Sequence, residues 1–298
     1  MKILLLGKVG QVGFELQRTL APLGDVIALD QPELDFLNLD SLGALVRRSA
    51  PHAIVNAAAY TAVDKAESDS GLCRALNATA PGFLATEAKK LNAIFVHYST
   101  DYVYPGDKKT PYKEDDSTGP LCEYGRTKLE GDQLIAQSGA NYLIFRTEWV
   151  YGVRGQNFLR TMLRLAKDKP ELRIVSDQIG APTWSRMIAE GTAHALARAF
   201  VEPSRYSGVY HLTAAGETTW FHFAEAIFDL IPLDRRPHLV PISTAEYPTP
   251  ARRPAYSVLS NDKFAKTFGI RLPDWKQQLE LVAAEINAER AATNPVSR

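Results

Sequence analysis

Short, continuous runs of apolar residues alternate along the first half of the chain with longer segments of mixed polarity. The runs are continuous and do not alternate residue by residue, which is typical of strands that are covered on both faces. They predict five strands, over residues 3–6, 26–30, 53–59, 94–100 and 142–146.

Three of the segments between these runs place apolar residues at helical spacing, over residues 12–20, 71–91 and 124–137. Strands and helices that follow one another in this order connect parallel strands through crossover helices. The pattern therefore predicts an α/β fold with a Rossmann-like, doubly wound parallel sheet.

The alternation loosens after about residue 150. Six prolines lie between positions 232 and 254, and helical spacing returns over residues 273–290. We predict a sheet domain over residues 1–150. A smaller, irregular C-terminal lobe is predicted over residues 151–298, partly interleaved with the first domain.

Composition narrows the class of protein. Of 298 residues, 45% are hydrophobic and 23% are charged, which is ordinary for a globular chain. The 34 basic and 34 acidic residues cancel, so no bulk charge attracts nucleic acid or an anionic membrane. Two cysteines are too few for a disulfide framework. The opening apolar run is too short for a signal peptide, and we expect a cytoplasmic protein.

A glycine-rich turn follows the first predicted strand and opens the first helix. Gly7, Gly10 and Gly13 permit a tight turn, and the helix N-terminus offers unpaired N–H groups to a pyrophosphate. The turn lacks the ending of a P-loop, which disfavours ATP hydrolysis. Asp30 ends the second strand, where a carboxylate would accept from a ribose and repel a 2′-phosphate, favouring NADH. The alternative for Asp30 is a solvated acid.

A hydroxyl, a phenol and an amine follow the fourth strand. Thr100 ends that strand, and Tyr124 and Lys128 lie one turn apart on the next helix. We expect the Lys128 ammonium to lower the pKa of Tyr124 from about 10 toward neutrality. Such a phenol would protonate an alkoxide as a hydride reaches a carbonyl, and Thr100 would hold the same oxygen.

With these motifs the chain resembles the extended short-chain dehydrogenase/reductase superfamily, and within it the dTDP-4-dehydrorhamnose reductase family. The resemblance rests on residues 7–13, 56–67, 97–104, 124–128, 146–152, 177–183 and 247–254. It implies an enzyme of dTDP-rhamnose biosynthesis that uses NADPH or NADH to reduce the C4 keto group of dTDP-4-dehydro-L-rhamnose. The partner would be this small dTDP-sugar, with neither nucleic acid nor membrane, and the chain would form a possible homodimer.

The resemblance also implies roles for individual residues. Tyr124 would be the general acid, Lys128 would hold the nicotinamide ribose, and Thr100 would polarise the carbonyl. The cofactor would contact Gly7, Gly10, Gln11, Val12, Gly13, Asp30, Asp35, Phe36, Ala59, Tyr60, Thr61, Tyr98, Tyr124 and Lys128. The nucleotide sugar would contact Thr100, Asp101, Tyr102, Trp149, Asn157, Gln178, Arg252 and Arg253. The last four of these are the candidates for its diphosphate. Core packing for Trp149 and surface exposure for the arginines are the alternatives.

One position departs from the family pattern. Some relatives hold Mg²⁺ with glutamates near a dimer interface, and Glu15 fits that pattern. Arg186, however, places a cation where those relatives carry an acid. The sequence therefore gives Mg²⁺ only weak support.

Two other functions stay open at the level of sequence. A nucleotide-sugar epimerase or dehydratase would use the same scaffold, but a dehydratase needs two acids beside the threonine, and the segment after Thr100 offers only Asp101. A non-catalytic regulatory subunit of methionine adenosyltransferase shares the fold and many motifs, and would act by binding a partner.

Overall fold

A computed structural model describes residues 1–293, so the last five residues of the predicted C-terminal lobe lie outside the described residues. The strands are β1 (Lys2–Leu6), β2 (Asp25–Leu29), β3 (Ala53–Asn56), β4 (Ile94–Thr100), β5 (Asn141–Thr147), β6 (Val150–Tyr151), β7 (Glu171–Val175), β8 (Ile179–Gly180), β9 (Thr183–Trp184), β10 (Gly208–His211), β11 (Thr218–Thr219) and β12 (His238–Ile242). The helices are α1 (Gln11–Leu20), α2 (Leu39–Ser49), α3 (Val63–Ala66), α4 (Ser70–Arg74), α5 (Ala80–Lys90), α6 (Glu123–Gln137), α7 (Phe158–Asp168), α8 (Ser185–Ala199), α9 (Pro203–Tyr206), α10 (Trp220–Leu230), α11 (Asp262–Phe268) and α12 (Trp275–Thr293).

Six parallel strands form the central sheet, in the order β10-β5-β4-β3-β1-β2. The five predicted strands are all in it, and the predicted doubly wound fold is confirmed. The chain runs outward from β1 to β2 and then returns to β3 on the other side of β1. This reversal of direction opens a crevice at the carboxyl ends of β1 and β3, where sheets of this class bind ligands.

Alternate residues of the strands pack on opposite faces of the sheet. Ile3 and Leu5 of β1 pack on the side of α1, α8 and α11, whereas Leu4 and Leu6 pack on the side of α2, α5 and α6. All four side chains are fully buried. Burial on both faces explains why the strands read as continuous apolar runs.

The sixth strand comes from the second half of the chain. In β10, Gly208 pairs with Leu143 and His211 pairs with Arg146 of β5. The short segment of β10 was not among the predicted strands. Helices α8 and α11, also from the second half, cover one face of the same sheet. The division of the chain at residue 150 stays a prediction.

A second core lies among α7, α10, α12 and the small parallel pair of β7 and β12. Its buried residues include Leu159 of α7, Phe223 and Ile227 of α10, and Leu279 of α12. The apolar spacing predicted the last of these helices over residues 273–290.

None of the helices within residues 1–293 is long and apolar enough to cross a membrane.

The segment predicted as one helix over residues 71–91 contains a wider turn. A π-helical turn, Ala75–Thr79, joins α4 to α5 and buries Asn77. Helix α6 packs directly against this turn. A Cβ atom added at Gly131 of α6 would lie only 2.1 Å from the Asn77 carbonyl oxygen. The close contact fixes α6 against the sheet, and with it the residues that α6 carries into the crevice.

We therefore expect Gly131→Ala to lower the free energy of unfolding by about 1–3 kcal/mol, because the new methyl group overlaps backbone that cannot move aside easily. Gly71→Ala is the matched control: it also lies in a helix, but nothing lies within 4 Å of the added Cβ. Alanine should stabilise that position by up to about 1 kcal/mol. Thermal and urea unfolding of both variants test the pair, and equal stabilities would contradict the contact.

Candidate active site

The polar residues singled out in the sequence gather at the carboxyl edge of the sheet. The glycine turn follows β1, residues 57–61 follow β3, and Thr100 is the last residue of β4. Helix α6 brings Tyr124 and Lys128 to the same edge. This is the position of the crevice that the strand order creates.

The glycine turn holds its backbone against the next strand. Gly7 has a φ of +88°, and a Cβ there would lie 2.6 Å from the Ala58 nitrogen. A Cβ at Gly13 would lie 1.9 Å from the Gly7 carbonyl oxygen. Gly10 caps α1 without any side-chain hydrogen bond, which leaves the N–H groups of the first turn, at Gln11 and onward, to an external acceptor. The turn therefore fits a pyrophosphate.

Two charged groups, the carboxylate of Asp30 and the ammonium of Lys8, lie beside the glycine turn. The Asp30 carboxylate accepts from the N–H groups of Val9, at 3.0 Å, and Gln31, at 2.9 Å. Lys8 Nζ lies 2.7 Å from the Glu33 carboxylate, and hydrogen bonding to Lys8 lowers the pKa of Glu33. A ribose would meet the carboxylate of Asp30, and a 2′-phosphate would meet the nearby ammonium of Lys8. Because Glu33 already pairs with Lys8, the preference for NADH that Asp30 suggests stays a prediction.

The predicted adenine neighbours differ in their surroundings. Asp35 is exposed, and its carboxylate accepts from the Leu37 N–H at 2.9 Å. Phe36 is 6% exposed and packs into the core on the α2 side of the sheet. Its contact with adenine stays a prediction, and only Asp35 presents a free surface.

The segment after β3 is fixed by the π-helical turn. The amide of Asn77 accepts from the Tyr60 N–H at 2.9 Å and donates to the Tyr60 carbonyl oxygen at 3.1 Å. The same amide donates to the Thr127 hydroxyl of α6 at 3.3 Å. Ala59 and Thr61 lie on either side of Tyr60 in the chain. Ala59 is half-buried and Thr61 is exposed. Sequence reasoning missed Asn77, whose turn is invisible in a helical pattern.

Thr100 at the end of β4 and Tyr124 and Lys128 on α6 lie at the same edge of the sheet, and their catalytic roles stay predictions. The Thr100 hydroxyl donates to Asp101 Oδ1 at 3.0 Å and accepts from the Tyr102 N–H at 3.2 Å. The rings of Tyr102 and Tyr124 meet edge to face, with centroids 5.8 Å apart. Lys128, one turn along α6, is 1% exposed. These side chains lie together at the end of β4, where Thr100 and Lys128 are buried and the two tyrosines are half-buried.

The Lys128 ammonium is engaged by β4. Its Nζ donates to the Tyr98 carbonyl oxygen at 2.5 Å and lies 3.0 Å from His97 Nε2. Burial and the charge of Lys128 hold the pKa of His97 well below its usual range, so the imidazole is neutral and accepts. His97 Nδ1 in turn lies 3.2 Å from the Asn56 amide. Sequence reasoning did not assign a role to His97 or Asn56.

The prediction that Lys128 lowers the pKa of Tyr124 is wrong, because the pKa is raised. Burial raises the pKa of Tyr124, and its interaction with the Thr100 hydroxyl lowers it only in part. Lys128 does not supply the expected effect, because its N–H groups point to Tyr98 and His97. Burial also lowers the pKa of Lys128 itself to about 8, against the charge of Asp132, which raises it. Tyr124 is thus a protonated phenol at neutral pH.

Tyr98 is anchored from the opposite side of the sheet. Its hydroxyl lies 2.9 Å from the Thr192 hydroxyl of α8, and burial raises its pKa. The ring therefore keeps a fixed position at the end of β4, while the backbone of the same residue holds Lys128.

A cavity of about 620 Å³ lies on the side of the second core. Gln178, Trp220 and Arg253 are among the residues that line it. Trp149 has a φ of +44° and stacks on Trp220 with ring centroids 3.5 Å apart. Because Gly180 lies against the Trp149 ring, a Cβ there would be 2.5 Å from it. This aromatic wall includes Trp220, which the sequence analysis did not single out.

Gln178 is held in that wall. Its Nε2 donates to the Thr244 hydroxyl at 3.0 Å, and its Oε1 accepts from the Trp220 indole N–H at 3.2 Å. Arg253 donates to the Asp64 carboxylate at 2.8 Å and also contacts Thr249. Both side chains line the cavity, and their contact with a diphosphate stays a prediction.

Asn157 and Arg252 lie apart from these residues. Asn157 caps α7 and donates to Gln11 Oε1 at 2.8 Å, which places it beside the glycine turn. Arg252 is exposed and does not line the cavity. The structure thus brings only Gln178 and Arg253 of the four predicted diphosphate ligands together.

The glutamate considered for Mg²⁺ is already neutralised. Glu15 is 4% exposed, and its carboxylate accepts from Arg186 Nε at 3.0 Å and from Arg18 at 3.0 Å. Arg186 also pairs with Glu285 at 3.0 Å. Within residues 1–293, no group of three His, Cys, Asp or Glu side chains is placed to hold a metal ion. The guanidinium occupies the place of a cation, so these residues do not fit Mg²⁺.

Comparison with known proteins agrees with this geometry. The sequence matches the family described as RmlD substrate binding domain over residues 1–288. It is 50% identical over 296 residues to a dTDP-4-dehydrorhamnose reductase of Burkholderia thailandensis, covering 96% of this chain and 99% of that protein. The Escherichia coli dTDP-4-dehydrorhamnose reductase is 46% identical, covering 96% and 98%.

Two solved structures share the whole fold. A dTDP-4-dehydrorhamnose reductase of Clostridium acetobutylicum is 36% identical with a TM-score of 0.88, covering 96% of this chain and all of that one. The enzyme of Bacillus anthracis, solved in complex with NADP, is 33% identical with a TM-score of 0.87, covering 95% and 99%. The chain therefore belongs to the dTDP-4-dehydrorhamnose reductase family.

Proposed function

We propose that this protein reduces the C4 keto group of dTDP-4-dehydro-L-rhamnose to give dTDP-L-rhamnose, using NADPH or NADH. The observation that carries the proposal is the cluster of Thr100, Tyr124 and Lys128 beside the glycine turn. Family membership supplies the substrate, and the enzyme of Bacillus anthracis was solved with NADP. The identity of 46–50% to named dTDP-4-dehydrorhamnose reductases favours a reductase over the epimerase, dehydratase and regulatory functions.

The proposed cofactor site rests on backbone shape and charge. Gly7 and Gly13 leave no room for side chains, so a pyrophosphate reaches the N-terminal turn of α1, where Gln11 and Val12 follow Gly10. Asp30 and Lys8 stand at the far end of the turn. A bound dihydronicotinamide supplies the hydride.

The chain's own residues handle the oxygen of the ketone. Negative charge develops on that oxygen as the hydride adds to the sugar carbon. The Thr100 hydroxyl orients the oxygen, and Tyr124 donates the proton that completes the alcohol. Lys128, a cation buried at the same edge, would hold the nicotinamide ribose with the N–H group that Tyr98 and His97 leave free.

Three finer assignments accompany this proposal. Thr100, Asp101, Tyr102 and Trp149 would surround the hexose, and Gln178 and Arg253 would contact the dTDP diphosphate from the cavity wall. A homodimer and a cytoplasmic location stay predictions.

A coupled assay tests the function directly. The dTDP-4-keto-6-deoxy sugar is supplied with its epimerase, and the oxidation of NADPH and of NADH is followed separately. We expect both nicotinamides to be consumed in proportion to the dTDP-rhamnose formed. The purified protein should also lose its cofactor readily, whereas a nicotinamide that stays bound through purification, with no net consumption, would point to an epimerase or dehydratase.

Replacing the acid should slow the chemical step. Tyr124→Phe keeps the ring and its contact with Tyr102 but removes the proton donor. We expect kcat to fall by about 10²–10⁴-fold, with little change in the KM of the cofactor. Tyr142→Phe, at a half-buried tyrosine on β5 away from the cluster, is the matched control. Near-normal turnover of Tyr124→Phe would exclude it as the acid.

Lys128 should make cofactor binding depend on pH. Because its pKa is about 8, the ammonium loses its proton as the pH rises through that value, and the cofactor Kd should increase from pH ~7 to ~9. Lys128→Met should bind weakly and without this pH dependence, and should turn over more slowly. Lys89→Met, on the exposed side of α5, should behave like the unmodified protein. Fluorescence titration measures both, and equal pH profiles for the two variants would oppose the assignment.

Metal removal should have no effect, because Arg186 already neutralises Glu15. We expect dialysis against EDTA to leave both the turnover and the Tm unchanged, and added Mg²⁺ to restore nothing. A loss of activity on EDTA treatment that Mg²⁺ reverses would show that a metal binds elsewhere or displaces the guanidinium.

A further inference from the structure

Besides the proposed acid Tyr124, a buried carboxyl group, that of Asp101, is hydrogen-bonded to Thr100. Asp101 is 2% exposed, and its Oδ1 accepts from the Thr100 hydroxyl at 3.0 Å. Its other oxygen, Oδ2, is buried without a hydrogen-bond partner. An ionised carboxylate with one bare oxygen is costly in such a place, and the usual remedy is a proton.

Glu148, which follows β5, is the neighbouring acid. It is 1% exposed, and its carboxylate accepts from the N–H groups of Ala181, at 3.0 Å, and Leu259, at 3.3 Å. The Ser257 hydroxyl donates to the same carboxylate at 3.3 Å. These three donors fix the carboxyl group beside the end of β4.

The two acids interact electrostatically. Burial raises the pKa of Asp101 to about 7, and the Ser257 and Thr100 hydroxyls oppose the rise. Burial and then the charge of Asp101 raise the pKa of Glu148 well above its usual range. Ser257, which donates to Glu148, thus lies close to both acids, and within the described chain neither carboxyl forms an ion pair with a cation.

The titratable groups that face this pair are tyrosines. Tyr102 and Tyr124 lie next to Asp101, and Tyr256 lies next to Glu148. All three have a raised pKa and are neutral at physiological pH. These tyrosines carry no charge that could offset the two carboxylates, so one proton held by the pair is the means available to reduce its charge from two to one.

We propose that Asp101 and Glu148 share one proton at neutral pH, and that the Thr100 hydroxyl passes this proton to Tyr124 after each turnover. The proposal rests on the reductase function above. Asp101 and Glu148 act through Thr100, so they position and resupply a proton and are not themselves the acid that meets the ketone.

The resupply step balances in protons and charge. In the reduction, the O–H bond of Tyr124 breaks and the O–H bond of the product alcohol forms. The Thr100 hydroxyl then turns from Asp101 Oδ1 to the phenolate and gives up its proton, and the Thr100 oxygen takes the proton of Asp101 in its place. The pair is left with one additional negative charge, and a proton from solvent restores it as product leaves. No oxidant or reductant enters the step.

Glu148→Gln tests the shared proton, because the amide keeps the size of the side chain and removes its charge. Without the second charge, the pKa of Asp101 should fall by about one unit or more. The upper limb of the pH profile of kcat should therefore move down by about one pH unit, and kcat at pH ~7.5 should fall by about tenfold. The KM of the nucleotide sugar should change little.

Stopped-flow measurement of the first turnover separates supply from donation. Tyr124 starts protonated, so hydride transfer in the first turnover of Glu148→Gln should keep the rate of the unmodified protein, while later turnovers slow. Glu87→Gln is the matched control, since Glu87 is also 1% exposed but lies on α5 between Arg47 and Lys90. Its pH profile should not move, whatever its stability.

Infrared difference spectra of the unmodified protein give a readout that does not need the variant to fold. Between pH ~6 and ~9, a carboxylic-acid C=O band should disappear with the same midpoint as the upper limb of kcat. Absence of that band, or an unmoved pH profile in a folded Glu148→Gln, would overturn the proposal while leaving the reductase function intact. If the unmodified protein reduced no dTDP-sugar, both proposals would fall together.

Discussion

The buried ammonium group of Lys128 constrains how helix α6 packs on the sheet. The Lys128 ammonium is shielded from solvent, so it requires hydrogen-bond acceptors within the fold. The Tyr98 carbonyl and the His97 imidazole of β4 are those acceptors. These bonds demand that α6 approach the sheet closely. Gly131 permits that approach, and Asn77 in the π-helical turn fixes the surface on which α6 rests. The geometry of the proposed site is a consequence of how one charge is accommodated.

The fold was largely predictable from the sequence, because its signals are local. Buried parallel strands are apolar on both faces. Continuous apolar runs such as residues 3–6 and 94–100 therefore predict such strands from their own residues alone. The glycines after β1 and the hydroxyl, phenol and amine of Thr100, Tyr124 and Lys128 are likewise set by neighbours a few residues away. Each such signal needs only one element and the turn that follows it.

What the sequence could not predict depends on contacts between distant segments. Strand β10 is short and gains its place only by pairing with β5, and Glu148 meets Ser257 across more than one hundred residues. Trp220 is an ordinary core residue until Trp149 stacks on it. The Tyr124 pKa moved opposite to expectation because burial, a property of the whole fold, outweighed a neighbour one turn away.

The origin of β10 also bears on how the chain is made. As the polypeptide leaves the ribosome, five parallel strands can assemble while β5 still exposes a row of unpaired backbone groups along the sheet's border. That border stays open until some sixty further residues have been synthesised and His211 has emerged. An open border of this kind invites association with other nascent chains. A pause in translation across that interval would therefore lengthen the time for which β5, and not the short strand β10, is the edge strand of the sheet.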